Sequence, residues 1–398
     1  MTSSFIRAVF LVALAHLTIE LCANFLPVMY PLLLSAWGLT YTQIGVIALV
    51  AGLSSALTQP IFGHLSDRWG AQRMTILSII WMGLIMGLVG FAWDYPSLLA
   101  LVGLGALGSA AFHPAGVVLT TSRGGPKRGT AISIFSVAGN LGSAFSPMMV
   151  AVGISWLGLV GPVVLIPVAL LVSLALQLQL RREAGAGVSP PVHHSAQCPQ
   201  QGVITEGAKL GLALIVVSVM CRSWVQVALM TYLPEWVQSQ GGSITLGGQM
   251  LALFMIAAGV GSLTGGNLSD RFGRWQVLAV SAAFLGPALW FFLQASGFWQ
   301  VVWVGLTGAL IGLSFPVAVV MAQETWPRGV GLASALVMGL GWAPGGMGAS
   351  FTGFVADHSS LATGLQLLIF PPLLGLACAL GYAALQRRSL RVAPSDLA

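Results

Sequence analysis

The chain has 398 residues, of which 57% are hydrophobic and only 7% charged. Soluble domains carry about 25% charged residues, so this chain cannot cover a water-facing surface, and a polytopic helical membrane protein is the class that remains. The net charge of +6 follows loop topology and gives no support to nucleic-acid binding.

The first apolar run covers 8–36. Arg7, the run itself and Ala13-Leu14-Ala15 imitate a cleaved signal peptide. The run continues past Ala15 to Trp37, however, and reads as a transmembrane helix. It carries His16, Glu20, Asn24 and Pro27, with His16 and Glu20 on one helical face. An ionisable group at membrane depth is costly and is by default a functional-site candidate.

Further runs follow at 42–65, 73–92, 97–121, 129–152 and 158–180, then at 208–238, 246–268, 275–294, 299–323, 330–355 and 363–386. Twelve spans are therefore expected, in an all-α fold of two six-helix bundles, 1–180 and 207–386. Between them, 181–206 holds Arg181, Arg182, Glu183, Pro190-Pro191, His193, His194 and Pro199, which is linker composition. The histidines and Cys198 are read there as part of a solvated loop. A tail, 387–398, ends the chain.

Cys22, Cys198, Cys221 and Cys378 form neither a disulfide framework nor a metal-ligand spacing. No hydrolase, redox, nucleotide or metal constellation is present, so neither an enzyme nor a cofactor is expected.

Every Lys and Arg except Arg222 lies on one side, before the first span, after the last, or in a loop or at the span end beside it. The loops near 37–41, 93–97, 153–158, 239–245, 295–298 and 356–362 hold none, and Trp37, Trp93, Trp156, Trp236 and Trp299 lie at that opposite interface. The positive-inside rule puts both termini and the linker in the cytoplasm.

The chain repeats. Gly63-His64-Leu65-Ser66-Asp67-Arg68-Trp69-Gly70 recurs as Gly266-Asn267-Leu268-Ser269-Asp270-Arg271-Phe272-Gly273, 203 residues on. Pro114 and Pro316 are 202 apart, as are Arg7 and Lys209. Parallel repeats of this kind are a transporter architecture. The same offset carries Glu20 to Arg222 and Asn24 to Gln226. Each charge lies 13 residues from its basic start, about 20 Å into the helix and near mid-bilayer.

The twofold G-x-L-x-D-R-x-G pattern resembles the signature loop of the major facilitator superfamily. The resemblance implies a gating latch on the cytoplasmic side, carried here by Gly63, Asp67, Arg68, Gly70, Gly266, Asp270, Arg271 and Gly273. The first copy departs from the pattern at Ala71-Gln72, where a basic pair is usual, with Arg73 following. The wider pattern is similar to the fosmidomycin-resistance branch. It comprises His16-Leu17 with Glu20, Tyr30-Pro31-Leu32-Leu33, Gln43-Ile44-Gly45, Phe112-His113-Pro114, Gly139-Asn140-x-Gly142, Ala322-Gln323-Glu324 and Ala356-Asp357-His358. That branch implies a proton-driven exporter of the bacterial inner membrane, conferring antibiotic resistance. The antiporter motif of helix 5 is followed loosely, with Ser146-Pro147 in place of Gly-Pro.

In that fold helices 1 and 7 line the central cavity, so Glu20 and Arg222 are expected to face each other or a common substrate. Glu20, with His16 as a relay, is the proton-coupling candidate. Arg222, His113, Asn24, Gln226, Tyr30 and Trp224 are the substrate-binding candidates. The alternatives are a permanent Glu20–Arg222 ion pair that fixes the bundle, a packing role for His16, a kink-stabilising hydrogen bond from His113, and simple packing of Trp224, Tyr30 and Tyr232. Glu235, Gln323 and Glu324 are read as gate or interface groups. The expected protein is a monomer in the bilayer, an antiporter exchanging protons for a small polar or anionic drug-like compound. A proton symporter importing an organic anion and a non-transporting membrane sensor are the other readings.

Overall fold

The computed structural model describes residues 3–124, 128–185, 207–326, 333, 336–337 and 341–392. These are helical almost throughout. The helices are α1 (Ser3–Ala23), α2 (Leu26–Trp37), α3 (Tyr41–Trp69), α4 (Ala71–Gly87), α5 (Tyr95–Gly124), α6 (Arg128–Leu157) and α7 (Leu165–Gly185). They continue as α8 (Ala208–Ser239), α9 (Ile244–Phe272), α10 (Arg274–Gln294), α11 (Gly297–Thr325), α12 (Gly341–His358), α13 (Leu361–Gln366) and α14 (Pro371–Val392). In lipid every backbone polar group must be satisfied within the protein, and a helix does so by itself.

Ten stretches of the described residues are long and apolar enough to cross a membrane. The expected span 158–180 and most of 129–152 fall inside one 50-residue stretch, Ile134–Glu183, as α6 and α7 joined by a short 3-10 segment. The first part of the expected span 330–355 lies largely outside the described residues, as does most of the linker.

The chain forms two compact units, Met1–Leu39 with Val50–Ser195 and Thr231–Met255, and Thr40–Leu49 with Ala196–Met230 and Ile256–Ala398. In the first, α1 packs along α6 and also against α4, α5 and α7. Small residues make this possible: a Cβ on Gly142 would stand 2.2 Å from the Leu17 carbonyl oxygen. The second unit uses the same device between α9 and α11. A Cβ on Gly261 would meet the Ala309 carbonyl oxygen at 2.1 Å, and one on Gly312 would meet that of Ala258 still closer. Gly261 and Gly265 of the Gly-rich stretch 259–266 thus make backbone contacts with α11, the role small residues play between membrane helices.

At the start of α3, Thr40 and Gln43 cap each other through side chain and backbone N–H, at 2.9 and 3.2 Å. The next two backbone donors are taken by a distant residue of the same unit, Asp357 of α12. Its carboxylate accepts from Tyr41 N at 2.6 Å, Thr42 N at 2.8 Å and Thr42 Oγ1 at 2.6 Å. A carboxylate at a helix N-terminus satisfies orphan N–H groups and complements the helix dipole.

Candidate functional site: a carboxylate between two imidazoles

The first apolar run does not form one continuous helix. Pro27 lacks an N–H and its ring excludes the carbonyl four residues back, so the helix is interrupted between Ala23 and Leu26. Glu20 occupies the last turn before this break. Asn24, at the break, donates from Nδ2 to the Glu20 backbone oxygen at 3.1 Å and to Glu20 Oε2 at 2.8 Å. A carboxylate and an interrupted backbone thus share one place within the span Val9–Trp37.

Three helices converge on the carboxylate. Oε2 accepts from Asn24 and from Ser143 Oγ of α6 at 2.9 Å. Oε1 lies 3.2 Å from His113 Nε2 of α5 and 3.6 Å from His16 Nε2 of α1. The far side of each imidazole is anchored on backbone: His16 Nδ1 is 2.8 Å from the Phe135 carbonyl oxygen, and His113 Nδ1 is 2.8 Å from that of Ser109. His16 is held further by stacking on Phe135, with ring centroids 3.9 Å apart, and by Gly139, where a Cβ would stand 2.3 Å from the ring. Among the described residues this is the one set of three His, Cys, Asp or Glu side chains whose chemically active atoms lie within 4.8 Å of one another.

His113 makes the backbone hydrogen bond expected of it beside Pro114, one turn back, and its other nitrogen meets Glu20, a contact the sequence reading does not contain. Ser143, Phe135, Gly139 and Gly142 were not singled out as functional residues. Their signal lay in the Gly139-x-x-Gly142 spacing, which puts two glycines on one face of α6 and lets α1 approach closely.

The repeat-related basic residue has different surroundings. Arg222 of α8 is 7% exposed, donates from Nη1 to Gln226 Oε1 at 2.5 Å, and sits 4.9 Å over the Phe315 ring. Its Nε and Nη2 are buried with no hydrogen-bond partner among the described residues. Glu20 and Arg222 thus each find their bonding partners within their own unit. Trp224 donates from Nε1 to Thr352 Oγ1 at 3.0 Å, and Gly348 makes room for its ring. Tyr30 and Tyr232 are fully buried in their helices.

The two signature loops make the same turn. Gly70 and Gly273, at φ +88° and +96°, separate α3 from α4 and α9 from α10. An L side chain rarely adopts that conformation. By contrast, Gly63 and Gly266 have room: a Cβ on Gly63 would come no nearer than 4.0 Å to Pro114, and one on Gly266 would meet nothing within 4 Å. Close helix approach is made elsewhere, by glycines such as Gly142 and Gly261. In the second copy Arg274 reaches Asp270 at 3.2 Å and both oxygens of Glu324 at 2.8 Å. Arg68 and Arg271 are exposed, and the side chain of Asp67 lies outside the described residues.

Helices long and apolar enough to cross a membrane, with polar groups gathered beside a break in one of them, define a polytopic membrane protein. The Major Facilitator Superfamily profile matches residues 10–211 and again 212–395, and the chain belongs to that family. It is a small-molecule transporter of the multi-pass membrane class. The chain is 28% identical over 371 residues to the fosmidomycin resistance protein of Escherichia coli (strain K12), covering 92% of this chain and 90% of that one. It is also 28% identical over 381 residues to the uncharacterized MFS-type transporter YfnC of Bacillus subtilis (strain 168), with the same coverage. Among solved structures it is similar in fold to a bacterial homologue of the human lysosomal transporter Spinster, with a TM-score of 0.78, 17% identity and full coverage of both chains. The nucleoside transporter NupG gives a TM-score of 0.69 at 13% identity, over 97% of this chain and 100% of that one.

Proposed function

We propose that the protein is a proton-coupled antiporter that exports a small polar or anionic drug-like compound, of fosmidomycin type, by alternating access. It crosses a bacterial inner membrane twelve times as a monomer, in halves 1–180 and 207–386, with the linker 181–206, the tail 387–398 and both termini cytoplasmic. The observation that carries this reading is Glu20: a membrane-depth carboxylate whose hydrogen-bond partners include a histidine from another helix. A scaffold carboxylate needs only donors, whereas this one faces two imidazoles, side chains that can both donate and accept a proton.

Arg222 with Gln226 holds the anionic group of the substrate. Two of its buried donors are unsatisfied among the described residues, and a buried guanidinium gains most from a ligand that accepts from its fork. The two loops around Gly70 and Gly273, with Asp67, Arg68, Asp270 and Arg271, gate the cytoplasmic side. The nearly full-length likeness to a fosmidomycin resistance protein supports the substrate class. One proton crossing supplies about 2.3 kcal/mol per 100 mV and about 1.4 kcal/mol per pH unit, enough to sustain an outward gradient.

The test is transport of fosmidomycin into inside-out vesicles with and without an imposed pH gradient. Accumulation that requires the gradient and is lost in Glu20→Gln, with folding intact, supports the reading. Gradient-independent movement in the wild type refutes the coupling.

A further inference from the structure

We propose that the coupling element is the whole cluster of His16, Glu20 and His113, that it exchanges between one and two protons without emptying, and that His113 is the member through which protons enter. This rests on the proton-coupled reading and deepens it: the exchanged proton is carried by imidazole, with Glu20 as its fixed counter-charge.

The hydrogen bonds count the protons. A carbonyl oxygen can only accept, so His16 Nδ1, on the Phe135 carbonyl, and His113 Nδ1, on the Ser109 carbonyl, each carry a hydrogen. The bonding network thereby assigns the tautomer of both rings. In a neutral imidazole Nε2 then bears a lone pair. Both Nε2 atoms face Glu20 Oε1, at 3.2 and 3.6 Å. Glu20 Oε2 already accepts from Asn24 and Ser143, so it does not need a proton. Without an added proton, three acceptors would converge inside a membrane protein with no hydrogen between them, an arrangement that carries the cost of buried unsatisfied groups.

One proton removes the conflict. Placed between His113 Nε2 and Glu20 Oε1, it leaves the cluster neutral. A second, on His16 Nε2, turns the 3.6 Å contact into an ion pair and gives the cluster a net charge of one. Each proton comes from water and returns to water, and no other bond forms or breaks.

Exposure names the point of entry. The His113 side chain is 33% exposed and that of His16 11%, the latter lying against Phe135 and Gly139. Of the helices packed on α1, α5 contributes His113 and α6 contributes Ser143. The charged residues of α4 and α7 (Arg73, Arg181, Arg182 and Glu183) and Arg128 of α6 lie toward helix ends. Among the described residues no further titratable side chain bonds to the carboxylate.

Removing either imidazole leaves Glu20 with one imidazole neighbour and one resident proton, so the exchange between one and two is lost although the carboxylate remains. In proteoliposomes with fosmidomycin as the probe, His113→Gln is expected to lower the protons moved per substrate by at least about tenfold. Independently of any substrate, purified wild type in weakly buffered detergent is expected to take up one more proton per molecule than His113→Gln between about pH 8 and 5. His113→Asn repeats both measurements should the glutamine disturb packing.

Wild-type proton-to-substrate ratios in His113→Gln, with only KM raised, would overturn the proposal and return His113 to substrate contact. Equal proton uptake by wild type and variant would overturn it as well. A wild type that exchanges substrate without moving protons refutes instead the coupled reading on which the proposal rests.

Discussion

Two regions related by the internal repeat occupy matching places in the sequence and carry opposite charges in different surroundings. Glu20 in α1 corresponds to Arg222 in α8, Asn24 to Gln226, and His113, before Pro114, to Phe315, before Pro316. The contacts correspond too: Glu20 Oε1 meets His113 at 3.2 Å, and the Arg222 guanidinium sits 4.9 Å over Phe315. The acid stands among groups that hold protons. The base stands beside an aromatic face and an amide, with two donors unsatisfied among the described residues. A duplicated backbone thus offers the same two positions, and the proposed function assigns proton exchange to one and anion binding to the other.

The sharpest way to break this comparison is at the acid. Glu20→Gln is expected to lower gradient-driven transport by about 100-fold or more, the scale of a lost buried charge interaction of about 3 kcal/mol. Vesicle transport at wild-type rate with its pH dependence kept would end the assignment. Next is the support beneath it. Gly142→Val drives a side chain into the Leu17 backbone, and about 3 kcal/mol of destabilisation is expected. Thermal denaturation in detergent reads it, with Gly52→Val as the control, since nothing lies within 4 Å of a Cβ there.

At the base, Arg222→Gln should raise KM for an anionic substrate by about 10- to 100-fold, reflecting lost charged hydrogen bonds of about 1.5–3 kcal/mol. Protons moved per substrate should be kept, and a KM unchanged from wild type would remove Arg222 from the binding role. Gly70→Ala and Gly273→Ala each place a side chain at positive φ, with an expected cost of about 1–3 kcal/mol. Equal losses would show that the loops remain equivalent, whereas the sites do not. The smallest effect is expected from Asp357→Asn, which keeps an acceptor at the start of α3 but removes its charge. About 0.5–1 kcal/mol is expected, read as a shift in melting temperature that shrinks with added salt.

The sequence by itself determined that the chain lies in a membrane, that it repeats, and that Glu20 and Arg222 are exceptional. These conclusions need only composition, periodicity and the cost of charge in lipid, all properties of the chain order. The turns at Gly70 and Gly273 were also legible, because a glycine that ends one helix and starts another has few other roles. What Glu20 touches was not. His16 lies four residues away and was within reach of helical spacing, but His113 is 93 residues distant and Ser143 123. Their meeting depends on α5 and α6 packing on α1, made possible by the absence of side chains at Gly139 and Gly142. Tertiary structure alone decided which nitrogen of each imidazole faces the carboxylate, because carbonyls on neighbouring turns and helices anchor the other one. That choice gathers one acid of an apolar run and two imidazoles into a single cluster.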